Sequence, residues 1–223
     1  MTRRIAADRW LPMIAVLLLV TAVGGWNLNA DGIWFDEWWS LYTAGAAAFS
    51  QPLSPTQIWD RLAADDPSQT PGYPLLLSAW GNLTGWTEFA GRALSLFGGL
   101  LAVAVTYRFA RALTRDSLAA LAAAALLGAS SMVLYFTHEL RGYTLYLACS
   151  IALFYAYWRI ASFPRRHFLM GYAAVALLGT LLIYVHPLAF VVFGALGVWH
   201  LARLFRRKSR RGWIAASVAL AIR

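Results

Sequence analysis

The chain has 223 residues, 60% of them apolar and 13% charged, too few polar groups to clothe a water-soluble globule and enough apolar ones for several membrane crossings. Its formal net charge is +9, but the basic residues stand in short clusters beside long apolar runs. Orientation in a membrane and contact with anionic lipid explain them there, and nucleic-acid binding is set aside. A single cysteine, Cys149, rules out an intrachain disulfide or a cysteine-based metal framework.

Taken in chain order, runs long enough to cross the hydrocarbon core fall at 10–28, 87–107, 117–136, 143–161, 168–185 and 187–204. Backbone groups in hydrocarbon must be hydrogen-bonded internally, so each run reads as a helix. The expectation is an all-α, polytopic transmembrane helical bundle forming a single membrane domain. The first run follows Arg3, Arg4 and Arg9 and reads as a retained helix, because a small-residue cleavage signature is poor. A seventh apolar run starts at 213 and reaches the last residue, 223, so the chain is expected to be the N-terminal module of a longer protein.

Fifteen of the 19 Lys and Arg residues form four clusters: Arg3, Arg4, Arg9; Arg108, Arg111, Arg115; Arg159, Arg165, Arg166; and Arg203, Arg206, Arg207, Lys208, Arg210, Arg211. The positive-inside bias places these in the cytoplasm, with the N-terminus. Eight of the ten acids then face the other side, together with Arg61, Arg92 and Arg141. The long connection 29–86 lies on that extracytoplasmic side and carries six of the 11 tryptophans, side chains that favour the water–lipid boundary. Within it, 41–49, 54–64 and 73–82 read as short interfacial helices, the second and third begun by Ser54-Pro55 and Pro71-Gly72.

Three stretches carry candidate chemistry. Asp36-Glu37 sits among Trp34, Phe35, Trp38 and Trp39; paired carboxylates in such a setting accept protons or bind a divalent cation, or else mark a solvated leaflet boundary. His138-Glu139-Leu140-Arg141-Gly142-Tyr143 forms the turn between the third and fourth spans. Its Arg141 suits paired hydrogen bonds to a lipid phosphate or simple contact with headgroups. Tyr184-Val185-His186-Pro187 brings a histidine to the turn between the fifth and sixth spans, where Pro187 biases His186 away from helical geometry. No span carries an ionisable residue at its middle, which argues against a transporter.

These stretches resemble a family. Asp36-Glu37 after the first span, Pro71-Gly72-Tyr73-Pro74-Leu75-Leu76-Leu77 closing the first loop, and Glu88-Phe89-Ala90-Gly91-Arg92-Ala93-Leu94-Ser95 entering the second span look like the membrane glycosyltransferases of the GT-C fold. The nearest groups are the protein O-mannosyltransferases and aminoarabinose lipid A transferases, the glycosyltransferase family 39-like enzymes. Glu139-Leu140-Arg141-Gly142-Tyr143 looks like their E-x-R-x-Y stretch and Tyr184-Val185-His186 like their Y-x-H turn. Thr70 stands where many relatives carry a basic or histidine residue, and Asp65 or Asp66 falls where some place a second acid.

The resemblance implies transfer of a sugar from a polyprenyl-phosphate carrier to a lipid, glycan or protein acceptor on the extracytoplasmic face of a cell membrane, the bacterial inner membrane. It implies Asp36 as catalytic base, with Glu37 orienting it or Arg141. Arg141, Glu139, His186 and Tyr143 would bind the donor. A divalent cation, Mg or Mn, at Asp36 and Glu37 stays open. The rival expectation is a non-catalytic membrane scaffold subunit or remnant of such an enzyme, with a membrane protein partner.

Overall fold

The computed structural model describes residues 2–46, 52–163 and 168–206. The expected seventh run and the basic residues 207–211 lie outside them. Every regular element among the described residues is a helix.

Helix α1, Thr2–Gly24, leads into a turn with Leu28 buried. The connection to the second long helix holds three short ones, α2 (Phe35–Ala44), α3 (Pro55–Asp65) and α4 (Gly72–Thr84). Helix α2 starts earlier than the apolar content of 41–49 suggests, because Glu37 turns back to the Trp34 N–H at 3.4 Å and begins the helix two residues before the acidic pair ends. It stops at Gly45, whose φ of +77° is a left-handed C-cap and whose missing side chain makes room for Leu53. Helix α3 follows the expected signals: Ser54 accepts from the Gln57 N–H, Gln57 returns the bond, and Pro55 occupies the first turn.

The long helices are α5 (Glu88–Thr114), begun by a Thr87 cap, and α8 (Tyr143–Ser162). These two are long and apolar enough to cross a membrane. The span expected at 117–136 is not one straight helix. It is α6 (Ser117–Gly128) and α7 (Ser131–Thr137), bent by 55° at the break. The break has local causes: Ser130 turns its hydroxyl to the Val133 N–H and starts a new helix. Gly128 sits against Val20 of α1, where a Cβ would lie 2.4 Å from a Val20 methyl. If α6 and α7 act as one span, three crossings result. Helices α9 (Phe168–Val185) and α10 (Ala189–Arg206), and the apolar part of α1 (Leu11–Gly24), are apolar but shorter than a standard crossing. The described residues are therefore all-helical, with two or three helices among them suited to spanning a bilayer, where the sequence suggested six.

Helix α5 is the hub. It packs against α8 and α6 and also touches α1, α4 and α7, while α9 packs on α8. Glycines set the closest approaches: Gly98 of α5 meets Thr144 at the start of α8, and Gly91 meets Leu140 in the preceding turn. With Phe109 of α5 against Tyr155 and Trp158 of α8 further along, the two helices run parallel. The turn 138–142, α2 and α4 thus gather at one end, and Arg108 and Arg159 lie at the other.

Candidate functional site

The site is organised by a residue that the sequence reading left in a motif without a role. Arg92 lies one turn into α5, 2% exposed, and all five of its N–H groups are used. Nε and Nη2 reach the two carboxylate oxygens of Glu37 at 2.9 and 2.7 Å; the remaining donors go to the carbonyls of Leu28, Asp31 and Gly32. Glu37 is wholly buried and also accepts the Leu140 N–H at 2.8 Å. One ion pair therefore ties α2, α5, the start of the first connection and the 138–142 turn together.

That arrangement redirects the expectation for Glu37. Its oxygens face a guanidinium and two backbone amides, so it has neither the free lone pairs nor the negative environment a Mg or Mn ion needs. A cation shared by Asp36 and Glu37 does not fit. Nor does Glu37 touch Asp36 or Arg141 through its carboxylate; its partners are Arg92, Leu140 and Trp34. Among the described residues no three His, Cys, Asp or Glu side chains gather as a metal site would require.

Asp36, one residue earlier, points the other way. Its side chain is 38% exposed, and Arg141 Nη2 lies 3.9 Å from Oδ2 while Nη1 donates to the Asp36 carbonyl at 3.3 Å. The first turn of α2 suits an acid electrostatically, since unpaired N–H groups there carry partial positive charge. Around it Phe35 stacks on Trp38, and Trp38 on Tyr42. Trp39 and Tyr42 reach α3 and the residue after it, donating to Asp66 and Asp65 at 3.1 and 2.9 Å. These two later acids hold α3 to α2.

Arg141 is held by its surroundings more than by its own bonds. The Leu140 side chain is fully buried against Gly91, where a Cβ would lie 2.2 Å from a Leu140 methyl. Ser95 of α5 donates to the Arg141 carbonyl at 3.2 Å, and the Trp34 indole N–H donates to Glu139 at 2.7 Å. Glu139, expected in a donor site, thus spends one oxygen on Trp34. The Arg141 guanidinium, with 17% of its side chain exposed, makes one hydrogen bond and lies 5.6 Å from the Tyr143 ring centre. Most of its five donors stay available.

Tyr143 passes the chain of contacts on to His186, with ring centres 5.2 Å apart. His186 Nδ1 accepts the Leu188 N–H at 3.1 Å, so the neutral ring carries its proton on Nε2. Burial, and secondarily the Arg141 charge, hold the His186 pKa below its ordinary value and favour that neutral form. The Pro71-Gly72 turn fits here too: a Cβ on Gly72 would lie 2.4 Å from the Tyr184 carbonyl oxygen, so only glycine lets α4 sit on the His186 turn. Behind Arg141 a crevice of about 140 Å³ runs between α5 and α8, lined by Tyr73, Ser95 and Thr144 beside Leu94 and Phe97. The hydroxyls of Tyr73 and Thr144 are buried without a hydrogen-bond partner, as is that of Thr70.

Asp36, Arg141, Tyr143 and His186 therefore stand in sequence along one end of the bundle, delivered by three turns. Sequence reasoning missed Arg92 and Trp34 as their supports. An arginine inside an apolar helix was the available signal, since such a charge persists only when fully partnered. Comparison with protein-family models, curated proteins and solved structures found no match.

Proposed function

We propose that this chain is a polytopic membrane glycosyltransferase module of GT-C type, moving a sugar from a polyprenyl-phosphate donor to an acceptor hydroxyl on the extracytoplasmic side. The observation that supports the reading best is the placement of a half-exposed carboxylate, Asp36, beside an arginine, Arg141, that is mostly buried and makes a single hydrogen bond. Glycosyl transfer from a lipid phosphate needs those two groups together. The acceptor hydroxyl is a poor nucleophile at neutral pH, and a carboxylate within hydrogen-bond reach takes its proton as it attacks the anomeric carbon. The bond from that carbon to the phosphate oxygen breaks, and the departing phosphate needs charge stabilisation more than protonation.

In this reading Asp36 is the base and Arg141 the phosphate ligand, its free N–H groups matching the oxygens of the anion. His186 donates from Nε2, and Tyr143 holds Arg141 and His186 at a fixed spacing. Glu37, Arg92, Trp34 and Glu139 are positioning residues: they fix the first turn of α2 against the turn that bears Arg141. No step is routed through a metal.

The test is transfer of a labelled sugar from a polyprenyl-phosphate donor by the protein in nanodiscs, with donor binding measured separately. Binding and transfer that both respond to Arg141, with transfer alone responding to Asp36, support the reading. Absence of donor binding in the wild type overturns it and leaves the scaffold subunit in its place.

A further inference from the structure

We propose that the opposite end of the same helices carries a binding site for one anionic phospholipid, with the lipid phosphate between Arg108 and Arg159 and an acyl chain lying along an apolar floor. The site is a groove of about 810 Å³ between α5, α8 and α9. It exists because small side chains meet there: Ala112 of α5, Ala152 and Ala156 of α8, and Gly171 and Ala174 of α9. Helix α9 packs on α8 rather than on α5, so the described residues leave the space between α5 and α9 open.

The charges on this groove have one sign. Arg108 and Arg159 line it, no acid does, and both arginines are exposed. Among the described residues neither pairs with a carboxylate. The Arg159 guanidinium lies 5.9 Å from the Tyr155 ring centre, which orients it at the mouth while Trp158 adds an aromatic edge. Away from the arginines the lining becomes apolar. Val105 is about one helical turn from Arg108, and Leu178 lies about 12 Å along α9 from Met170.

A charged mouth leading to an apolar floor is the outline of a phospholipid. Two arginine forks suit a phosphodiester anion, and basic pockets between membrane helices favour anionic headgroups. A zwitterionic lipid would bring its own cation to the arginines, and free phosphate would leave the floor empty. The groove is also separate from the candidate catalytic cluster. Tyr143 and Arg159 are 16 positions apart on α8, about 24 Å along its axis. A lipid seated here bridges α5 to α9, and α9 carries the His186 turn at its far end.

The experiment uses the whole chain, stripped of lipid in detergent, with native mass spectrometry and thermal unfolding as readouts. Phosphatidylglycerol, phosphatidylcholine, inorganic phosphate and a polyprenyl phosphate are added in separate arms. The expected result is one retained phosphatidylglycerol per chain, a preference over phosphatidylcholine on the order of tenfold, and a raised unfolding temperature. The preference disappears in the Arg108→Gln/Arg159→Gln double variant, whose side chains are exposed and leave folding intact. Ala174→Phe fills the floor, keeps both charges and loses the lipid. Equal retention of both phospholipids, the same stabilisation by inorganic phosphate, undiminished binding in Arg108→Gln/Arg159→Gln, or a retention of polyprenyl phosphate tighter than that of phosphatidylglycerol and lost in Arg108→Gln/Arg159→Gln overturns the proposal. Sugar transfer enters none of these readouts, so failure of the glycosyltransferase reading is told apart from failure of this one.

Discussion

Arg92 clasps both carboxylate oxygens of Glu37 across 55 positions of sequence, at 2.9 and 2.7 Å, with neither side chain more than 3% exposed. Two charges removed from water this fully are stable only as a pair, and here every donor of the arginine and both oxygens of the acid are satisfied. Removing one partner leaves an uncompensated buried charge, which costs about 3–5 kcal/mol. Glu37→Ala and Arg92→Ala should therefore each lower the unfolding temperature sharply in detergent, while the double variant loses little beyond the worse single one. Additive losses would show that the two residues act independently. Glu37→Gln keeps the shape and part of the hydrogen bonding, and is expected to fall between wild type and Glu37→Ala in stability.

Asp36 is neighbour to this pair and has the opposite expectation. It is 38% exposed and its side chain meets Arg141 only at 3.9 Å, so Asp36→Asn should leave the unfolding temperature within a degree or two of wild type, as for other exposed substitutions. As the proposed base it should cost transfer about 100-fold or more while donor affinity stays nearly constant. Unchanged turnover in Asp36→Asn removes Asp36 from the chemistry.

The contrast between these adjacent acids marks what the sequence could disclose. Aromatic context and position after the first apolar run drew attention to Asp36-Glu37 as a unit, and Arg141 and His186 were legible as isolated polar residues in turns between apolar runs. Which acid faces inward was not legible, because it depends on α2 starting at Phe35 and on Arg92 being one turn inside α5. Both are long-range consequences of packing. The bend after Gly128 was hidden for a similar reason: Ala-rich composition predicts continuous helix, while the break comes from the Ser130 cap and the contact with Val20. By contrast α3 was readable almost to the residue, since Ser54, Pro55 and Gln57 act on their own local backbone.

His186 supplies a pH signature. Burial first, then Arg141, lowers its pKa below the ordinary histidine value of 6.5. The unfolded chain then takes up a proton at a higher pH than the folded one, so the stability from a neutral His186 is fully present above pH 6.5 and is lost as pH falls through the lower folded value. Thermal unfolding measured from pH 8 downward should show this acid-side loss, and His186→Gln should flatten it. Arg141→Ala should raise the His186 pKa, followed by NMR of the ring, without restoring it fully, because burial is the larger cause. A fall in the His186 pKa on removing Arg141 contradicts the arrangement.

The orientation inferred from basic clusters is open to direct labelling. Ala63 is exposed on α3 and Ser117 is exposed at the start of α6. In a chain whose buried Cys149 is replaced by serine, a cysteine at Ala63 should react with an impermeant thiol reagent added to intact cells. One at Ser117 should react only after the membrane is opened. The reverse pattern places the Asp36–Arg141 cluster in the cytoplasm and ends the proposed use of an extracytoplasmic acceptor.

Arg141 offers the sharpest separation between binding an anion and merely resting among headgroups. Its backbone is fixed by Ser95 and by the Leu140 contact with Gly91, so exchange of its side chain should not move the turn. The guanidinium makes one hydrogen bond, to the Asp36 carbonyl, and presents the rest of its planar fork beside Tyr143. If that fork grips the donor phosphate, Lys supplies the charge without the paired geometry. Arg141→Lys should then weaken affinity for a polyprenyl-phosphate sugar by about tenfold and Arg141→Ala by about 100-fold, the range expected for losing one or both charge-assisted bonds. Measured in nanodiscs beside the unfolding temperature of each variant, a graded loss of affinity at constant stability supports Arg141 as the phosphate ligand. Equal affinity in wild type, Arg141→Lys and Arg141→Ala would place it outside the site and return weight to the scaffold reading.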